Sequence, residues 1–200
     1  MSVEVPSLPT GKDRTAQIVS HLGSPPVLAT FYFLILALSG GPPLYDSVGA
    51  AWSVVICIPS LVLLAATWGR RVSDLDLSRL EERKKFLPIT LPFGAAMLVA
   101  AVLLRLPVVV QESTAVIVLV GVVGTLLSQF WKVSMHVSGA FAVFWLALVA
   151  FGAIALLFIW VPPIVAWARL RLHQHDLPQV LVGALVGSVC VAAALYPFVR

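Results

Sequence analysis

Long apolar runs, cut at intervals by short charged islands, leave this chain few ways to fold. Seven such runs can be drawn, at about 26–40, 49–69, 88–106, 114–131, 137–150, 152–168 and 179–198. Hydrophobic residues make up 60% of the 200 positions and charged residues only 11%, more apolar surface than a water-soluble core of that size can use. The runs are continuous rather than alternating, which suits helices and not the short dyad-patterned strands of a membrane barrel. The expected class is all-α: a polytopic transmembrane helical bundle, a single domain, with six to seven spans.

Local punctuation refines that picture. Pro6, Pro9, Gly11, Gly23, Pro25 and Pro26 punctuate residues 1–25, which read as an N-terminal tail with little regular structure, ahead of a membrane domain over 26–200. Val27 to Leu38 resembles the apolar core of a cleaved leader. The stretch before it is long and weakly basic, which favours a retained first span. Residues 137–168 exceed one ordinary span and are tight for two, since a perpendicular helix needs about 20 residues to cross. Gly152 marks a turn there, and Pro162-Pro163 would kink or restart the second helix. Cys57 and Cys190 lie inside apolar runs, where a free thiol is usually a small inert hydrophobe. No ligand cluster suggests a metal, and no cofactor is expected. The net charge of +4 gives nucleic acid binding no support.

Sidedness favours seven spans over six. With seven, the N-terminus, the loop 70–87, the island Lys132–His136 and the island 169–178 all fall on one face. With six, the last island lands opposite. Eleven of the thirteen Lys and Arg then share a face: Lys12, Arg14, Arg70, Arg71, Arg79, Arg83, Lys84, Lys85, Lys132, Arg169 and Arg171. Arg105 and Arg200 lie on the other. The positive-inside rule puts the crowded face in the cytoplasm, as a multi-pass protein of the plasma membrane would have it.

The islands carry the chemistry. Charge at mid-bilayer depth costs roughly 2.5–3.5 kcal/mol per Arg or Asp, so these clusters belong at a surface or in a protein cavity. Lys132 and His136 are four apart, one helical turn. Arg169, Arg171, His173, His175 and Asp176 crowd eight residues. Asp176-Leu-Pro-Gln179 resembles a helix N-cap with its reciprocal Gln, and a helix starting at Leu177 would aim N–H groups at an anion near His175. In the loop 73–88, Ser73 with Asp76 fits a capping box, and Leu75, Leu77, Leu80 and Phe86 suggest a short interfacial helix before a span opening at Pro88. Asp74-Leu-Asp76 alone does not make a magnesium–diphosphate site, because no second Asp-rich loop exists.

Together the two islands resemble the second and third signature motifs of the type-2 phosphatidic acid phosphatase superfamily, membrane lipid phosphate phosphatases. Val133-Ser134-Met135-His136 keeps the Ser and His of Pro-Ser-Gly-His. Ala168-Arg169, His175 and Gln179 keep the Arg and His of the third motif, with Gln179 where the family has Asp. Val180 to Gly187 continues with the small-residue helix found after that motif, which suits close packing within the bundle or across a homo-oligomer. The first motif has only a loose counterpart in Arg79, Arg83, Lys84 and Lys85 before Pro88. The resemblance spans roughly 70–190.

It implies a metal-independent hydrolysis of a lipid phosphate or pyrophosphate. His175 would be the nucleophile and His136 the acid for the leaving group. Arg169, Lys132, Ser134 and Arg83 or Lys85 would hold the phosphate, and Gln179 would orient His175. The partners implied are a lipid phosphate substrate and membrane lipids. Two other readings exist. A non-catalytic relative would bind lipid headgroups or act as a scaffold. A small transporter would carry His175 and Arg169 in its path, although such sites usually lie at the bilayer midplane.

Overall fold

The computed structural model describes residues 11–39, 52 and 80–195. The predicted span 49–69 (Trp52 apart), Cys57, the capping box at Ser73 and Asp76, Arg70, Arg71, Arg79 and Arg200 lie outside the described residues. In chain order the helices are α1 (Gly11–Leu22), α2 (Pro25–Leu38), α3 (Leu80–Leu103), α4 (Val108–Leu127), α5 (Met135–Phe151), α6 (Val161–Arg171) and α7 (Leu177–Leu195). A 3-10 segment, Gly152–Phe158, follows α5. Among the described residues all regular structure is helical.

Four stretches are long and apolar enough to cross a membrane: α3, α4, Met135–Phe158 and α7. The pair α1–α2, bent by 54°, would make a fifth. Six to seven spans were expected. The count among the described residues is four or five.

Three local expectations are corrected. Residues 11–22 form a helix rather than an unstructured tail. Their Pro and Gly neighbours sit at the ends, and Asp13 and His21 complement the two ends of the helix dipole. A break was expected at Pro88, yet α3 runs from Leu80 through Pro88 and Pro92 to Leu103. Membrane helices tolerate internal proline where neighbouring groups re-satisfy the backbone. Apolar length predicts a span over 152–168. Instead, α6 has 11 residues, about 16 Å at 1.5 Å per residue, roughly half of a bilayer core.

Gly152, at φ +65°, ends α5, and Pro162-Pro163 occupy the first turn of α6, as the sequence suggests. So α5 leaves one end of the bundle and the chain returns to that end through α6. The return sets the 169–178 island beside Lys132, whose ammonium donates to the Gln174 carbonyl, although α6 is too short to span. The main core gathers Phe33, Met97, Val116, Val120, Leu146 and Cys190 from five helices. A smaller cluster, Val137, Ala140, Val165 and Val180, joins α5, α6 and α7 beside the polar islands.

Two glycines set the closest approach. A Cβ on Gly183 would lie 2.7 Å from the carbonyl oxygen of Ser134, and one on Gly187 would collide with that of Ser138. Both glycines therefore pack inside the bundle, α7 against α5.

Candidate active site

Five residues carry the chain from α6 into α7. His173 adopts a left-handed backbone at φ +51°, and the N–H of Gln174 donates to the carbonyl of Arg169 at 3.2 Å. This closes α6 and turns the chain within one step. Asp176 then caps α7, its Oδ1 accepting from the Gln179 N–H at 2.9 Å, as the sequence predicts. The Gln179 side chain departs from the expected reciprocal box. Its Nε2 donates to Asp176 Oδ2 at 3.0 Å, and its Oε1 lies 2.8 Å from His175 Nδ1. The helix dipole at this end is thus answered by Asp176 itself.

His175 is buried, and cations surround it. Arg83, on the second turn of α3, is 1% exposed. Its Nη2 stands 3.5 Å from His175 Nε2 while its Nη1 donates to the Val133 carbonyl at 2.6 Å. Lys132 Nζ donates to the Gln174 carbonyl at 2.6 Å, tying the two islands together. Arg169 is fully buried, and its Nη1 donates to Ser20 Oγ at 2.6 Å. Burial, then Arg83, Arg169 and Lys132, push the His175 imidazole down to about 3, against the opposing hydrogen bond to Gln179. The ring is therefore neutral at ordinary pH.

The second island lies against α7. The Ser134 N–H donates to the Gln179 carbonyl at 3.2 Å. The Ser134 hydroxyl is fully buried, with no hydrogen-bond partner among the described residues. His136 is buried in the first turn of α5. The structure therefore gathers Lys132, Ser134, Arg83, Arg169, His175 and Gln179 at one end of the bundle, with His136 beginning the helix stapled to them. Lys85 is exposed, so of the two cations named from α3 it is Arg83 that reaches His175.

Ser20 carried no sequence signal. It is a lone serine in a polar segment, and only the docking of α1 on α6 brings it to Arg169. The same docking pairs Arg171 with Asp13 at 3.2 Å. Comparison with protein-family models, with curated proteins and with solved structures finds no match. What the arrangement offers is a buried, neutral imidazole ringed by Arg83, Arg169 and Lys132. Guanidinium forks match the oxygens of compact anions, and a low dielectric strengthens each such contact.

Proposed function

We propose that this chain is an integral membrane phosphatase of the type-2 phosphatidic acid phosphatase kind, hydrolysing a lipid phosphate or diphosphate through a phosphohistidine. One observation carries the reading: the buried His175 has its Nε2 3.5 Å from the Arg83 guanidinium, and the Lys132 ammonium is held on the adjoining Gln174 carbonyl. With Nδ1–H held by Gln179, Nε2 presents its lone pair for in-line attack on phosphorus. The P–N bond forms as the P–O bond to the lipid breaks, and His136 gives its proton to the departing oxygen. Water, deprotonated by His136, then cleaves the P–N bond and restores His175. The guanidiniums of Arg83 and Arg169 and the Lys132 ammonium neutralise the equatorial oxygens, a task other phosphoryl-transfer enzymes assign to metal ions. Ser134 supplies a hydrogen bond to the bound phosphate.

The described cations Arg83, Lys84, Lys85, Lys132, Arg169 and Arg171 belong to the site end, and Arg105 lies in the turn just past the far end of α3. That asymmetry supports a cytoplasmic site in the plasma membrane, acting on an intermediate made on the inner leaflet. A cysteine engineered at Ser78 should label only from the cytoplasmic side, and labelling only from outside would reverse the assignment.

The test of the reaction is phosphate release by purified protein in detergent with EDTA, from a panel of lipid phosphates. Release is expected to vanish in His175→Ala and Arg83→Ala and to persist in Lys85→Ala. A second reading draws on Gln179: an amide stabilises an imidazolium less than a carboxylate would. A folded protein that binds lipid phosphate yet releases none would be a headgroup-binding or scaffold protein instead.

A further inference from the structure

We infer that Asp176 is a positioning residue for His175, acting through the Gln179 amide to fix which imidazole nitrogen bears the proton. A carboxylate can only accept hydrogen bonds. Asp176 uses both oxygens on one residue, Oδ1 on the Gln179 N–H at 2.9 Å and Oδ2 on the Gln179 side chain at 3.0 Å. The side-chain atom facing Oδ2 must therefore be the NH2 group, which turns the amide oxygen toward His175 Nδ1 at 2.8 Å. An amide oxygen can only accept, so Nδ1 carries the hydrogen and Nε2 is left with its lone pair toward Arg83.

Without the carboxylate the amide can turn over. Its NH2 would then face Nδ1 and compete with the Arg83 guanidinium, which also donates toward the ring, for the single lone pair of the neutral imidazole, so the proton would no longer be fixed on Nδ1. Asp176 is exposed and touches no reacting group. Its negative charge polarises the amide and makes Oε1 a stronger acceptor, so a neutral Gln recovers part of what a direct carboxylate would give.

The catalytic consequence rests on the phosphatase reading, but the tautomer does not, and the experiment separates them. Asp176→Asn and Asp176→Ser both keep a good N-cap for α7 and lack the second acceptor. Histidine 15N shifts in detergent are expected to report a proton on Nδ1 of His175 in the wild-type protein, and on Nε2 or shared between the two in either variant. Turnover is expected to fall roughly 10–100-fold in kcat with KM nearly unchanged. Adding Gln179→Glu to Asp176→Asn should restore both the Nδ1–H tautomer and the rate, since a carboxylate then meets Nδ1 directly. A purely capping role would lower stability without moving the tautomer, and an unchanged tautomer in both folded variants would overturn the inference. If the tautomer moves as expected but the wild-type protein shows no turnover, the inference stands and the phosphatase reading falls.

Discussion

Arg169 and Ser20 are 149 residues apart in sequence and joined by a 2.6 Å hydrogen bond from Nη1 to Oγ, with both side chains buried. The N-terminal helix thus belongs to the cationic pocket. Hydrogen bonds to charged groups contribute about 1.5–3 kcal/mol. Ser20→Ala is expected to lower kcat/KM for phosphate release by roughly tenfold or more, mainly through KM, because Arg169 keeps its charge but loses its aim. Deleting residues 1–22 should cost more than the point change. Equal KM values in wild type and Ser20→Ala would show that Arg169 is held by other contacts.

Acid should weaken the fold through His175. Its folded-state value is about 3, against 6.5 for the free side chain. Above pH 6.5 both folded and unfolded forms are neutral, and the full stability is present. As pH falls from there toward 3, the unfolded chain takes up a proton that the native state lacks. Stability then drops by up to about 1.4 kcal/mol per pH unit. Melting temperatures between pH 8 and 4 should therefore fall less steeply in His175→Gln than in the wild-type protein.

The α5–α7 contact should tolerate no added carbon. Gly183→Ala puts a methyl 2.7 Å from the Ser134 carbonyl, a backbone atom that cannot rotate away. Overpacking of this kind costs about 1–3 kcal/mol and should cut turnover by displacing the Ser134–His136 turn. Gly121→Ala is the control. Nothing lies within 4 Å of its added Cβ, so stability should hold or rise by up to about 1 kcal/mol.

His173 is strained. It is exposed, and its φ of +51° costs a residue with a side chain about 1–2 kcal/mol. His173→Gly should raise the melting temperature and leave phosphate release unchanged. A lower melting temperature would mean that the imidazole makes a contact worth more than the strain.

Much of the site could be read in the sequence because its residues cluster locally. Asp176 three residues before Gln179 announced a cap, Pro162-Pro163 announced a helix start, and charge in an apolar chain marked both islands. Other features left no such trace. Hydropathy measures the length of an apolar run, so it missed that α3 begins eight residues before Pro88 and carries Arg83 inward. It also could not tell that α6 stops at half a bilayer, because Gly152 to Trp160 is apolar whether or not it forms part of a span. Ser20 escaped entirely, since a hydroxyl becomes informative only when something charged is packed against it.

The glycine contacts divide the pocket into a part that cannot be retuned and a part that can. His136 and His175 ride on, or directly before, helices whose main chains touch at Gly183 and Gly187, so their mutual placement is set by backbone against backbone. Arg83 comes from α3 and Ser20 from α1, each reaching in from outside that contact through a long side chain or a docked helix. On the proposed phosphatase reading, a change of headgroup over evolution would therefore be recorded in α1 and at the start of α3, while the two histidine-bearing segments stayed as they are.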